Sequence, residues 1–141
     1  MLGELVGEGR GKVTGVRVLS IDGMNSKVEA SFQGQGTILG KSMTEFGTYI
    51  QVSRPGGVAF SDAKNLIQTS DGEIAPWQGF GVARLTGEGF GENTAVAGAF
   101  HGASAGLDRL NRAAYVTEFE ADAEGNYHYR TWEWLGPNQK E

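Results

Sequence analysis

Lys27-Val28-Glu29-Ala30-Ser31-Phe32-Gln33-Gly34-Gln35-Gly36-Thr37-Ile38 is the stretch that decides the fold. Val28, Ala30, Phe32, Gly34, Gly36 and Ile38 alternate with Lys27, Glu29, Ser31, Gln33, Gln35 and Thr37 throughout. A period of two sends successive side chains to opposite faces of an extended chain. The segment therefore predicts a long strand with Val28, Ala30, Phe32 and Ile38 buried and Lys27, Glu29 and Gln33 in water.

The same pattern continues on both sides. Phe46, Thr48, Ile50 and Val52 alternate with Glu45, Gly47, Tyr49 and Gln51, and Arg54-Pro55-Gly56-Gly57 ends that run as a turn. Further strands are expected at 13–21, 58–69, 74–86, 94–102, 113–121 and 127–135. Asp22-Gly23, Ser70-Asp71-Gly72, the glycine-rich stretch 87–91 and Glu124-Gly125-Asn126 separate them, and these residues accept positive φ or form Asx turns. About eight strands suffice to close a barrel with no exposed edge. Residues 103–112 lack alternation, and the Leu107/Leu110 spacing allows one or two helical turns near 104–112. Residues 136–141 are expected to be a frayed tail. No linker or composition shift divides the chain, so 1–141 reads as a single all-β domain, one antiparallel barrel.

Composition fits this reading. Among 141 residues there are 23 glycines and 3 prolines; glycine costs about 1 kcal/mol against alanine inside a helix but serves turns and crowded interior positions in sheets. The net charge of -5 and the 12 dispersed Lys and Arg residues argue against a nucleic-acid groove or an anionic membrane surface, both of which need clustered cations. There is no apolar run of spanning length and no basic flank at the start, so a cytoplasmic location is expected. The absence of cysteine removes thiolate chemistry and Cys-based zinc sites.

Two motifs are excluded by their spacing. Gly40-Lys41-Ser42 has the tail of a phosphate-binding loop, but Gln35 stands where the leading glycine belongs and strand-like sequence follows. It reads as a hairpin corner. His101 and His128 have no partner at metal-ligand spacing, so no metal and no cofactor are expected.

The aromatic residues carry most of the functional signal. Strands favour aromatics, and a barrel must be filled. Even so, Trp77, Tyr115 and Trp132 have polar tips, and Arg84 and His101 lie on neighbouring strands. An apolar wall with a few polar groups is what a small-molecule pocket needs. The candidate ligand-binding set is Phe46, Tyr49, Trp77, Arg84, His101, Tyr115 and Trp132, and the candidate proton-transfer groups are His101 and Glu118. Several strands also show apolar residues on both faces: Phe80 and Val82 against Trp77, Ala83 and Leu85, and Tyr127 and Tyr129 against Trp132 and Trp134. A second apolar face predicts a homo-oligomer, a dimer being the commonest form, unless the N-terminal segment covers it.

From Gly47 onward the order of features resembles a known group. Gly47-Thr48-Tyr49-Ile50 leads to Arg54-Pro55-Gly56-Gly57, then Trp77-Gln78-Gly79-Phe80-Gly81, then Ser104-Ala105-Gly106-Leu107-Asp108-Arg109-Leu110-Asn111. This resembles the allene-oxide-cyclase-type β-barrel superfamily with its uncharacterised prokaryotic members and, more distantly, dirigent proteins. The resemblance implies an eight-stranded calycin-like or allene-oxide-cyclase-like barrel, often oligomeric, with a cavity that in some relatives guides cyclisation or coupling of an apolar substrate. The catalytic residues of the plant enzymes have no position-by-position match here. Three functions follow: a cofactor-free barrel binding a small apolar or aromatic ligand, a cofactor-independent cyclase or isomerase acting in the cavity, or a structural barrel with a filled interior.

Overall fold

The protein is described by a computed structural model covering residues 2–23 and 25–137, so most of the tail expected at 136–141 lies outside the described residues. Eight antiparallel strands follow one another: β1 (Leu2–Asp22), β2 (Asn25–Ile38), β3 (Lys41–Arg54), β4 (Val58–Thr69), β5 (Ile74–Leu85), β6 (Glu92–Phe100), β7 (Ala114–Ala121) and β8 (Asn126–Trp134). Each pairs with the next and β8 pairs with β1, which closes the barrel.

Turn chemistry explains the meander. Leu39 and Gly40 have φ of 48° and 77°, the left-handed pair that a tight two-residue hairpin demands. Gly40-Lys41-Ser42 is thus a hairpin corner, and Lys41 Nζ meets Asp71 Oδ2 at 3.0 Å instead of a phosphate. In β2, Ala30, Phe32 and Ile38 are buried as the alternation predicts, whereas Val28 and Glu29 are both half-buried.

The first strand is longer than its sequence pattern. It begins at Leu2, and residues 2–12 are hydrogen-bonded beside β8 as far as the Lys12↔Asn126 pair. The N-terminal segment therefore lies within the sheet and does not fold over the outer face of β8. Beyond Val13, β1 pairs with β2 alone, forming an arm on which Val16, Val18, Leu19 and Ile21 are exposed.

A 3-10 helix, Ala105–Arg112, seals one end, with Leu107 and Leu110 fully buried beneath it. Ser104 ties it to β5: its N donates to Ile74 O and its Oγ accepts from Ile74 N, both at 2.9 Å. Arg109 donates to both carboxylate oxygens of Glu133 on β8, at 3.1 and 3.0 Å. Tyr115, fully buried, donates from its hydroxyl to Arg109 O at 3.2 Å. The Gly106-Leu107-Asp108-Arg109-Leu110 segment is thus a plug whose two leucines extend the core to the barrel end.

Candidate functional site

Strand parity determines what faces the interior. On β3 the inward residues include Met43, Glu45, Gly47 and Tyr49, and on β8 they include Tyr127, Tyr129, Thr131 and Glu133. Two buried polar clusters result.

The first is centred on Glu45, which is only 3% exposed. Tyr129 donates its hydroxyl to Glu45 Oε1, Tyr127 donates to Oε2 at 2.7 Å, and Asn65 Nδ2 donates to Oε1 at 3.0 Å. Burial holds the Glu45 carboxyl above its ordinary value of 4.5 despite these three donors, because no cation replaces the lost hydration. Burial and the adjacent Glu45 push both tyrosine hydroxyls well above their ordinary value.

Glycine makes room for these rings. A Cβ on Gly9 would stand 2.6 Å from Tyr129 Cζ and 2.8 Å from its hydroxyl oxygen, and one on Gly11 would stand 2.8 Å from the Tyr127 hydroxyl. The glycine rows of β1 and β2 therefore seat the tyrosines that hold Glu45. Around them the rings pack in a chain: Phe32 to Tyr127 at 5.5 Å, Tyr127 to Phe119 at 5.3 Å and Phe119 to Tyr49 at 6.1 Å.

The second cluster is centred on Glu92, at the start of β6 and 5% exposed. Gln51 Nε2 donates to its Oε2 and Thr94 Oγ1 to its Oε1, both at 2.8 Å. Burial also raises this carboxyl above 4.5, the two donors opposing it. Tyr49, whose hydroxyl is raised by burial and by the neighbouring Glu92, stands on the same wall.

Between the clusters is a cavity of about 70 Å³. Its walls are largely apolar: Phe32, Tyr49, Trp77, Phe100 and Phe119 contribute rings, and Ala63 and Val96 narrow it. Glu92, Thr94, Ser61, Asn65 and Tyr129 bring polar atoms to it. Ser61 Oγ and Asn65 Oδ1 are buried without a hydrogen-bond partner.

The structure brings together only part of the expected set. Tyr49 and Trp77 line the cavity. Tyr115 is interior but belongs to the plug, stacked edge-on against Phe100 at 5.2 Å. Phe46, Arg84, His101 and Trp132 do not line it. Phe46 is 56% exposed and is three residues from Tyr49, so alternation sends the two to opposite faces. Arg84 is exposed next to the inward Ala83, and Trp132 lies between the inward Thr131 and Glu133. His101 is exposed just past β6, and Glu118 is exposed on the outer face of β7, paired in register with Arg130. Neither candidate proton-transfer group reaches the interior. Of the carboxyls buried instead, Glu45 was on a strand face that looks wet in the sequence, Glu92 fell outside the strand expected at 94–102, and Glu133 is paired with Arg109.

No protein-family model and no curated protein matches the chain. Solved structures do resemble it. A conserved protein of unknown function from Rhodopseudomonas palustris aligns over 96% of this chain and 99% of its own, with a TM-score of 0.77 and 16% identity. A protein of unknown function from Clostridium acetobutylicum aligns over 94% and 97%, with a TM-score of 0.80 and 14% identity. An enzyme from Penicillium herquei aligns over 92% of both chains, with a TM-score of 0.65 and 19% identity. Identities this low establish a shared barrel fold, and function must be argued from the site.

Proposed function

We propose that this barrel binds a small, mostly apolar molecule in its interior, without a cofactor. The observation that carries this reading is the pair of buried polar atoms, Ser61 Oγ and Asn65 Oδ1, without a partner beside a largely apolar cavity. A buried polar atom left unpaired costs about 1–3 kcal/mol, which a bound molecule or ordered water recovers. The cavity exceeds the roughly 10–15 Å³ that one water needs, which counts against a merely filled structural barrel. It is also about half the 150 Å³ of a void that accepts benzene, so the unexpanded space suits a ligand of a few heavy atoms. A fragment screen by ¹H–¹⁵N NMR on the protein and on Ala63→Phe tests this. Ligands should shift amides of 61–65 and 92–96 in the former and not in the filled variant; shifts that persist in Ala63→Phe place binding elsewhere.

A second reading, a cofactor-independent cyclase or isomerase of the allene-oxide-cyclase type, draws support from Glu92. A carboxyl that burial raises above its ordinary value, at a cavity wall, is shifted in the direction that general acid catalysis requires. The Penicillium neighbour is described as an enzyme.

Self-association is proposed on separate grounds. Phe60 and Phe80 stack at 6.3 Å on the outer face, both exposed, with Val82 beside them. The register adds the outward Ala95 and Ala97 from β6, extending an apolar face of the kind that marks protein contacts. Tyr127 and Tyr129 face inward, so the aromatic conflict expected on β8 is relieved by the barrel itself, although Trp134 remains 49% exposed.

A further inference from the structure

We propose that the cavity ligand is a small organic cation, an alkylammonium ion whose N–H groups and positive charge are met by Glu92. The proposal rests on the cavity reading above and narrows it to one chemical class.

The charge balance of the interior points this way. Glu45 and Glu92 are both nearly inaccessible to solvent. Among the described residues neither lies within ion-pair distance of a Lys, Arg or His, and no cationic side chain lines the cavity. Buried carboxyls are ordinarily paired or bound to a cation. Glu45 has its lone pairs occupied by two phenols and an amide and is not on the cavity wall. Glu92 is on the wall with one donor on each oxygen, leaving acceptor capacity on both.

The hydrogen-bonding sense agrees. Of the three unpartnered buried side-chain atoms among the described residues, Asp62 Oδ1 is off the cavity wall, and the two on it are an amide oxygen, an acceptor only, and a hydroxyl oxygen able to accept as well as donate. Ser61 faces Gln51 in the β3–β4 register, and Gln51 reaches Glu92, so one acceptor belongs to the Glu92 end. An ammonium group supplies several donors and no acceptor, whereas a carboxylate ligand would bring only acceptors to Asn65 Oδ1 and a like charge beside Glu92.

The walls fit the same ion. Tyr49, Trp77, Phe100 and Phe119 present aromatic rings to the cavity, and ring faces attract alkylammonium ions, more strongly when the ion is desolvated. Removing a cation from water is costly, and the Glu92 carboxylate with the surrounding rings offsets that cost. The volume of about 70 Å³ restricts the ion to a few heavy atoms.

The test uses isopropylammonium chloride, 2-propanol and sodium acetate, molecules of equal heavy-atom count, in ¹H–¹⁵N NMR titrations of the full chain. Isopropylammonium should give saturable shifts at 61–65 and 92–96, with weaker binding by 2-propanol and none by acetate. Glu92→Gln should weaken the amine about 30-fold or more, the factor for losing one partner of a buried charge pair. Equal binding of 2-propanol and the amine, or an unchanged amine affinity in Glu92→Gln, would overturn the cation assignment and leave the cavity reading standing. Silence of all three at those amides would overturn both. The comparison of probes on the unsubstituted protein decides the charge preference even if Glu92→Gln does not fold.

Discussion

Phe32→Ala probes the side chain on which the barrel reading depends. Phe32 is 7% exposed, packs on Tyr49 at 6.0 Å and Tyr127 at 5.5 Å, and borders the cavity. A Phe→Ala change in a core costs about 3–5 kcal/mol, more where the surroundings cannot collapse. Collapse is hindered here. Phe32 pairs in register with Gly47, which has no side chain to move inward, and β2 is hydrogen-bonded on both sides. The expected cost is about 4–5 kcal/mol, or roughly 2 M in the urea midpoint for a slope of about 2 kcal/mol/M. The void should also merge with the cavity and admit benzene, as larger apolar voids do. Phe46→Ala is the control, and its exposure predicts a loss near the surface norm of about 0.5 kcal/mol. A Phe32→Ala loss under about 1 kcal/mol, below the core range, or one smaller than that of Phe46→Ala, would refute the facing assigned to β2 and β3.

Three further outcomes are expected. Gly9→Ala should displace Tyr129 and cost about 1–3 kcal/mol as an overpacking change, whereas Gly15→Ala, with nothing within 4 Å, should be neutral or stabilising by about 0.4–1 kcal/mol; equal effects in urea titrations would show that no tyrosine seat exists at Gly9. Burial raises the Glu45 and Glu92 carboxyls of the folded protein above the unfolded value of 4.5, so their contribution is complete below that pH and is lost as pH rises through their raised folded values. The lowered carboxyls, Asp71, Asp108 and Asp122, act on the acid side of 3.8. Thermal midpoints should therefore fall as pH rises above 4.5, with the fall reduced in Glu45→Gln/Glu92→Gln, while a rise there would contradict the buried acids. Light scattering at micromolar concentration should give twice the 15.0 kDa chain mass, with Phe80→Glu returning it to one chain and Trp134→Glu leaving it associated; a single-chain mass for the unsubstituted protein rules out a stable dimer.

Strand number and the inward face of β2 were legible because Phe32 and Ile38 alternate with charged and amide side chains. The plug was visible in Leu107 and Leu110. The site was largely hidden, because its acids contradict the rule used to find the core. On β3, Phe46, Ile50 and Val52 look inward and Glu45 looks outward, yet the barrel buries Glu45 with Tyr49 and leaves Phe46 on the surface. Only partners from β4 and β8, Asn65, Tyr127 and Tyr129, make that burial tolerable, and no local pattern on β3 reports them. A usable signal was present in parity. Phe46 and Tyr49 cannot share a face, and the inward Gly34 and Gly36 leave space that large residues elsewhere must fill.

Native mass spectrometry of freshly purified protein tests the central claim, occupancy of the barrel by a small molecule, most directly. The account predicts a bound mass at one molecule per chain, released on denaturation and absent from a folded Ala63→Phe variant. A chain that shows no bound mass, or an adduct that Ala63→Phe retains in full, would contradict it.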